Sequence, residues 1–542
     1  MHRLAVLVAV CLLIVGAQAR AADVTLAWDT NAEPDLAGYR LYYGTASGHY
    51  QFVIDVGKTT TYTVSGLAIG TYFFAITAYN RSGLESGYSN EVSKDISAAA
   101  TFYFPHSVNW TAGGVGPETA AAGATVTNLD TLPVTVTFTA YGMNGSLVSG
   151  ANINNPVTMV LDPGEQVAFV DSELFGSGLL FDDPIAYVEI ASSSSRITAT
   201  LISHDGNGAI PDAAPVAVTF TTYIFPEVKD GDPAWLGVAN SNPVSAAALF
   251  QLIDADGKVL RSTVRIIDAQ GTFIADTMAE VFPGAELSGS EYIRVIAGQG
   301  VVPCQLLIRT SQYVQVLDGQ PVSDGATALY SPQYVVGGPW HTTLSVVNLD
   351  QEEGTISFQL FSDDGVELGP PQTQAIAPQG KVWIPDLWDL VVNNSGIAQG
   401  YVRITGDRVK LIGSVLFSYK ELNGFTTALP LLSVLTRSVL YSVSSQDLAS
   451  YTGIAIVNPG DEILSGSLEV YNQDGILLAN PFPLNIPARQ RFKGILTDCF
   501  PNLASTSTAY LKIKADRDFA SYAICGTRIL TSLMWIPAQI VR

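Results

Sequence analysis

Charge of either sign is scarce in this 542-residue chain: Asp, Glu, Lys and Arg together make up 14%, against roughly a quarter in ordinary soluble proteins. The shortage is deepest among cations. Twenty-seven Lys and Arg stand against 49 Asp and Glu, a formal charge of −22. Phosphate recognition needs clustered Lys and Arg, so nucleic acid is not an expected partner. The same deficit argues against adsorption to an anionic membrane. The acidity reads as solubility of an exported protein; calcium sites are the alternative, and no motif places one.

Cysteine and histidine are nearly absent. Cys11 lies in the N-terminal leader, leaving Cys304, Cys499 and Cys525, too few and too scattered for a zinc site. Cys499 and Cys525 fall close enough in sequence to share a module and could bridge in an oxidising compartment, or stand as buried thiols. Beyond the leader the histidines are His49, His106, His204 and His341. A nucleophilic hydrolase needs a base beside its nucleophile, and no Gly-x-Ser-x-Gly elbow, His-Glu-x-x-His helix or phosphate-cradling glycine loop occurs. The carboxylate pairs Asp182-Asp183 and Asp363-Asp364 read as loop and turn residues rather than a glycosidase pair. Asp254-Ala255-Asp256-Gly257 opens like a calcium loop, but Lys258 and Leu260 follow where ligands are needed. A non-enzyme without a cofactor is expected.

Long apolar runs are missing too, with one exception. Leu4 to Val15 follows Arg3 and is too short to span a bilayer. With the small residues Ala17 to Ala21 it reads as an export signal over 1–21, cleaved near Ala22. Cys11 sits in the middle of that run, not at its end, so no lipid anchor is expected. The mature chain is expected outside the cytoplasm, secreted or on the cell surface, with the periplasm as the other location.

What the chain has in quantity is 48 Gly, 23 Tyr and many Val, Thr and Ile, the composition of strands joined by tight turns. It also repeats itself. Asn128, Asn240, Asn348 and Asn458 each precede a glycine by 17 residues: Gly145, Gly257, Gly365 and Gly475. Ten residues after each asparagine come Phe138, Phe250, Phe358 and Leu468, and two further on Ala140, Leu252, Leu360 and Val470. That period of two marks one face of a half-buried strand. The Asn-Gly and Asp-Gly pairs that follow are hairpin signals. A second ladder opens with Tyr187, Tyr292, Tyr401 and Tyr510, continues at Val188, Ile293, Val402 and Leu511, and places Glu189, Arg294, Arg403 and Lys512 toward solvent. The key asparagines read as turn formers, their amides bonding local backbone.

The class is therefore all-β, with four tandem β-sandwich repeats at 101–218, 219–325, 326–436 and 437–542. A solenoid needs a much shorter repeat and a propeller blade about half this length.

Residues 23–97 differ from the repeats. Val24 to Trp28, Gly38 to Tyr43, Tyr62 to Val64, then Leu67, Gly70 and Tyr72 leading into Phe73 to Asn80, form a strand series with an embedded tryptophan. The series resembles a fibronectin type III domain, with Leu67 and Tyr72 at the place of a tyrosine corner. The resemblance implies a seven-strand, immunoglobulin-like sandwich and, in secreted bacterial proteins, a spacer or adhesive unit. It assigns no chemistry.

Exposed aromatics are the remaining candidates for binding. Trp235, Trp340 and Tyr451 precede the strand leading to the key asparagine, and Trp383 and Trp388 flank Pro385-Asp386-Leu387. Trp340, Trp383 and Trp388 are the candidate ligand contact, for a carbohydrate or protein surface; the alternative is that these rings close sandwich cores. The expected function is a secreted structural or adhesion protein, its modules in a rod, with self-association through sheet edges open to it. A carbohydrate-binding accessory to secreted enzymes is the second reading, and a hydrolase the third.

Overall fold

A computed structural model describes residues 22–540 except 68–69, 97–98, 106–120, 180–184, 205–211, 216–217, 229–233, 311–312, 391–395, 421–424, 444–449, 504–507 and 528–532. The leader 1–21, His106, Trp110 and Asp182-Asp183 lie outside these residues. The chain is nearly all β and forms many small antiparallel sheets, as tandem sandwiches require. It divides into two compact units, one ending near Ala100 and the other holding the four repeats.

In the first unit Ala22–Ala27 pairs with Thr61–Leu67, over a sheet ordered Phe52–Gly57, Leu36–Gly44, Gly70–Asn80, Val92–Ile96. The described residues thus give six strands. Tyr39, Leu41, Leu67, Tyr72 and Phe74 are buried between the sheets, and Trp28 packs against them edge-on to Tyr39 at 5.8 Å. Alternation explains the burial: Tyr39 and Leu41, and Tyr72 and Phe74, are each two apart and so share a face.

Each repeat is a sandwich of two antiparallel sheets. In the third, one sheet runs Ala328–Val336, Ala398–Asp407, Gly354–Ser362, Gln372–Ile376, and the other Lys381–Ile384, Trp340–Asn348, Leu411–Tyr419, Phe425–Pro430. Between them lie Ile356, Phe358, Leu360, Val402 and Ile404, the side chains that the alternating pattern assigns to the core. Repeats two and four differ in one respect: Tyr292–Thr310 and Tyr510–Thr527 run unbroken from one sheet into the other.

The key asparagines are fully buried, and each ties its own turn. The amide of Asn348 donates to the carbonyls of Glu352 and Ala377 at 2.8 and 2.9 Å, and its oxygen accepts the Asp350 N–H. Asn128, Asn240 and Asn458 do the same. At least three backbone groups of the turn are satisfied by one side chain, which is why the residue recurs.

The four repeats do not form the row expected of tandem modules. They close into a ring. The final strands Asp212–Pro215, Tyr313–Asp318, Phe425–Pro430 and Leu533–Ile536 each touch the next around a centre, and the fourth touches the first. A head-to-tail contact produces a filament or a closed cycle depending on the rotation per unit. Here four units complete the turn.

Candidate functional site

The seams between repeats are where this sequence concentrates its specific contacts. Each repeat presents a turn containing a left-handed residue: Gly164 (φ 81°), Gln270 (55°), Gln379 (51°) and Arg489 (60°). Each turn is received by the Asn-Gly or Asp-Gly hairpin of the preceding repeat. Two residues past the turn a backbone N–H donates into that hairpin: Thr272 to the Met143 carbonyl at 3.0 Å, Lys381 to Ala255 at 2.9 Å and Arg491 to Asp363 at 3.0 Å. Gln166 donates to Gln473 at 2.7 Å, from the first repeat to the fourth.

The ladder tyrosines fasten the same turns. Tyr187, Tyr292 and Tyr401 donate through their hydroxyls to the carbonyls of Gln270, Gln379 and Arg489 at 3.2, 2.7 and 2.7 Å. Tyr510 donates to Gly164 at 2.9 Å, closing the cycle. Three of these rings stack on an aromatic thirteen residues after the key asparagine: Tyr141 on Tyr187, Phe361 on Tyr401 and Tyr471 on Tyr510, at 4.9, 4.6 and 4.9 Å. In the second repeat Ile253 takes that place beside Tyr292. Burial pushes all four phenols up, Tyr292 and Tyr510 to about 12, so they remain donors at any physiological pH.

A polar side chain then enters each of three seams. Gln166 donates to Thr127 Oγ1 and to Ser442 Oγ of the fourth repeat at 2.8 and 3.2 Å. Lys381 is buried and donates to the Glu291 carbonyl at 2.8 Å; burial lowers its pKa, opposed by the charges of Glu227 and Glu291. Arg491, whose side chain is 0% exposed, reaches the carbonyls of Pro332 and Gly400 and lies 2.5 Å from Asp363. Asp363, one of the paired carboxylates in the sequence, is therefore held in an ion pair at a seam and also contacts Lys493 at 2.7 Å.

Two ladder residues expected in solvent are drawn into these surroundings. Glu189 is half-buried among Tyr103, Tyr141 and Tyr187, and burial raises its pKa above the ordinary 4.5. Lys512 is half-buried and its pKa lowered, by burial and then by Lys514. Arg294 is half-buried and bonds Gln251 Oε1 at 3.0 Å, while Arg403 is exposed as the alternation predicts. A raised folded pKa means the neutral Glu189 carboxyl favours the fold below its unfolded pKa, and that contribution fades as pH rises through the folded value. Glu189→Gln is expected to raise the melting temperature at pH 7 and leave it unchanged near pH 3.5; equal shifts at both would contradict this account.

The structure separates the three candidate tryptophans. Trp340 meets Tyr419 edge-on at 4.8 Å and, with Trp388, packs against the core of the third repeat. Trp383, 37% exposed, points from the opposite face toward Gly289 of the second repeat. They do not form one exposed platform. The Asp386 carboxylate instead accepts the backbone N–H of Trp388 at 3.0 Å and pairs with His341 Nδ1. Because Trp388 and Trp340 close a core, either changed to alanine is expected to destabilise by about 2–4 kcal/mol, near the lower part of the range for buried aromatics. A melting temperature within a degree of the parent would show the rings to be surface features.

Asp254 Oδ1 accepts the N–H groups of Asp256 and Lys258, as an Asx turn does. Among the described residues, no group of three or more His, Cys, Asp and Glu gathers as a metal site. Cys499 and Cys525 both belong to the hydrophobic interior of the fourth repeat and are not bonded to each other in this structure. Burial, and then Asp498, raises the Cys499 pKa to about 11, so it is mostly protonated and unreactive near neutrality. Alkylation at pH 8 is expected to be slow in the native protein and rapid at both positions in denaturant without reductant. Resistance in denaturant would reveal a bond.

No family profile matches the chain, and neither does any curated protein. Among solved structures it is similar to an α-L-rhamnosidase from Dictyoglumus thermophilum, at 9% identity and TM-score 0.13, over 76% of this chain and 46% of that one. It is also similar to the full-length major pilin RrgB of Streptococcus pneumoniae, at 10% and 0.11 over 73% and 88%. A third is the α-L-rhamnosidase of Streptomyces avermitilis, at 9% and 0.11 over 92% and 55%. The chain spans less than half the length of the first enzyme. At such TM-scores these likenesses carry no argument about function. Among the described residues, no helix is long and apolar enough to cross a membrane.

Proposed function

We propose that this is a secreted, non-enzymatic scaffold protein of adhesion or surface structure, in which a ring of four β-sandwiches replaces the expected rod. The observation that carries the reading is the bond from Tyr510 to the Gly164 carbonyl, by which the last repeat holds the first. A ring with four fastened seams resists bending and twisting far better than modules joined only by linkers. It holds surface loops at fixed mutual positions, so several weak contacts can act together through effective concentration. The groups that drew attention as chemistry have structural partners: Asp363 an arginine and a lysine, Asp386 the backbone N–H of Trp388 and a histidine. The fibronectin type III-like unit is assigned a spacer or adhesive role on its resemblance alone.

The test is a paired screen of the full mature chain. Chromogenic glycosides and esters are expected to show no turnover, while arrays of glycans and surface proteins show multivalent capture, lost on dilution of the immobilised ligand. Turnover abolished by a single carboxylate substitution would overturn the scaffold reading.

A further inference from the structure

The four seams share one plan, so a departure from it is informative. In each repeat the strand after the turn pairs with the strand leading to the key asparagine, and equivalent pairs are Thr125 with Ala168, Gly237 with Ile274, Ser345 with Trp383, and Ala455 with Lys493. Two residues before the first member of each pair stand Gly123, Trp235, Thr343 and Gly453. Where repeat two meets repeat one, Trp235 and Ile274 pack against the core of repeat one. Where repeat three meets repeat two, the Trp383 ring lies 3.5 Å from the place a Cβ on Gly289 would occupy. Both spaces are filled by large side chains.

Where repeat four meets repeat three, glycine stands in place of the tryptophan and lysine in place of the isoleucine. A cavity of about 350 Å³ results. It is lined by Gly453, Ala455, Lys493, Asp498 and Ile524 of the fourth repeat and by Gln333 and Gln399 of the third. The size lies within the range of small-ligand sites, which combine apolar walls with a few convergent polar groups.

The polar groups narrow the ligand's chemistry. Lys493 is already answered by Asp363 at 2.7 Å, and in a chain of charge −22 the site gives an anion little attraction. Gln333 accepts Arg491 through Oε1, which leaves its amide N–H groups as donors. Gln399 supplies both a donor and an acceptor, and Asp498 supplies acceptors. Tyr522 is buried in the core of the third repeat with its hydroxyl donating to the Pro430 carbonyl, so the apolar surface open to the cavity is that of the half-buried Ile495 and Ile524. Amides and a carboxylate beside an aliphatic wall suit a neutral polyhydroxylated ring, whose hydroxyls both donate and accept and whose C–H face is apolar.

We infer that the seam between the third and fourth repeats is a saccharide-binding site, sized for one or two sugar units, with Gln333, Gln399 and Asp498 as its hydrogen-bonding groups. This deepens the scaffold reading and rests on it, since a bound sugar that is not turned over would be what the ring holds.

Saturation-transfer NMR and calorimetry on the full mature chain would use D-glucose, D-galactose, D-mannose, N-acetyl-D-glucosamine and L-fucose as probes, up to 20 mM. At least one is expected to bind saturably with millimolar affinity. Lys493→Trp, which copies the filled seam, is expected to abolish that binding, and Gln399→Ala, in the third repeat, to weaken it at least tenfold, each with a melting temperature near the parent's. Absence of saturable binding by every sugar, or undiminished binding by both variants, overturns the site. Neither result would touch the ring, whose closure is read separately by small-angle scattering; chemical conversion of a bound sugar would instead sink the scaffold reading.

Discussion

Gly257→Val is expected to be among the most damaging single changes in the ring, lowering stability by about 2–5 kcal/mol. Two penalties combine. The position has φ +79°, which a β-branched residue adopts only under strain of about 1–3 kcal/mol. A Cβ there would also lie 2.0 Å from the Pro378 carbonyl of the next repeat, and forcing such a neighbour aside costs a similar amount. The control is Gly284→Val, where φ is +70° but nothing lies within 4 Å of the added atom. Chemical denaturation of both, with small-angle scattering under native conditions, separates the contributions. The Gly257 variant should lose more stability and show an expanded particle. If the two variants behave alike, the hairpin is only a hairpin and not a socket.

Asp363→Asn is expected to cost about 3 kcal/mol, typical of removing one partner from a buried ion pair. The loss follows from where Arg491 sits. Its side chain is fully enclosed, burial already pulls its pKa down, and the charge of Asp363 opposes that pull. Asp518→Asn breaks a bond of ordinary geometry to Arg437, 3.0 Å long, but both side chains there are more than half exposed. Exposed pairs of this kind contribute about 0–1 kcal/mol and are screened by salt. Urea melts of both variants at low and high salt should therefore diverge, with the Asp363 deficit large and insensitive to salt. Equal, salt-sensitive shifts would place Arg491 in contact with water.

The sandwiches were legible because the relevant signals are local. A period of two at Phe138 and Ala140, and again at the three matching pairs, needs only neighbouring residues to declare a buried face. The same holds for the hairpin dipeptides and for the buried asparagines, whose partners lie within one repeat. The seams were not legible in the same way. Tyr187 stands on the non-core face of its strand, where simple alternation assigns water, and the pattern cannot distinguish water from a neighbouring module. A signal was present nonetheless: a tyrosine kept in all four copies on a nominally wet face, opposite an aromatic in three of them. The rod was the natural expectation from tandem copies, since the angle between successive units depends on the wedge of each contact and leaves no periodic trace. The separated tryptophans have a similar origin. Trp340 and Trp383 lie on adjacent strands but on opposite faces, a distinction that requires knowing which strands pair.

The cyclic arrangement has a bearing on repeat number. Every repeat carries a projecting turn and a receiving hairpin, and within the four-membered cycle each turn occupies a hairpin. A natural or engineered form with three copies would leave one of each unmatched, and a five-copy form would have to strain or exclude a copy. Unmatched ends of this kind are complementary to one another, so such forms would polymerise end to end. The number four thus acts as a termination rule, and the same contacts that would propagate a fibre are what make the assembly finite.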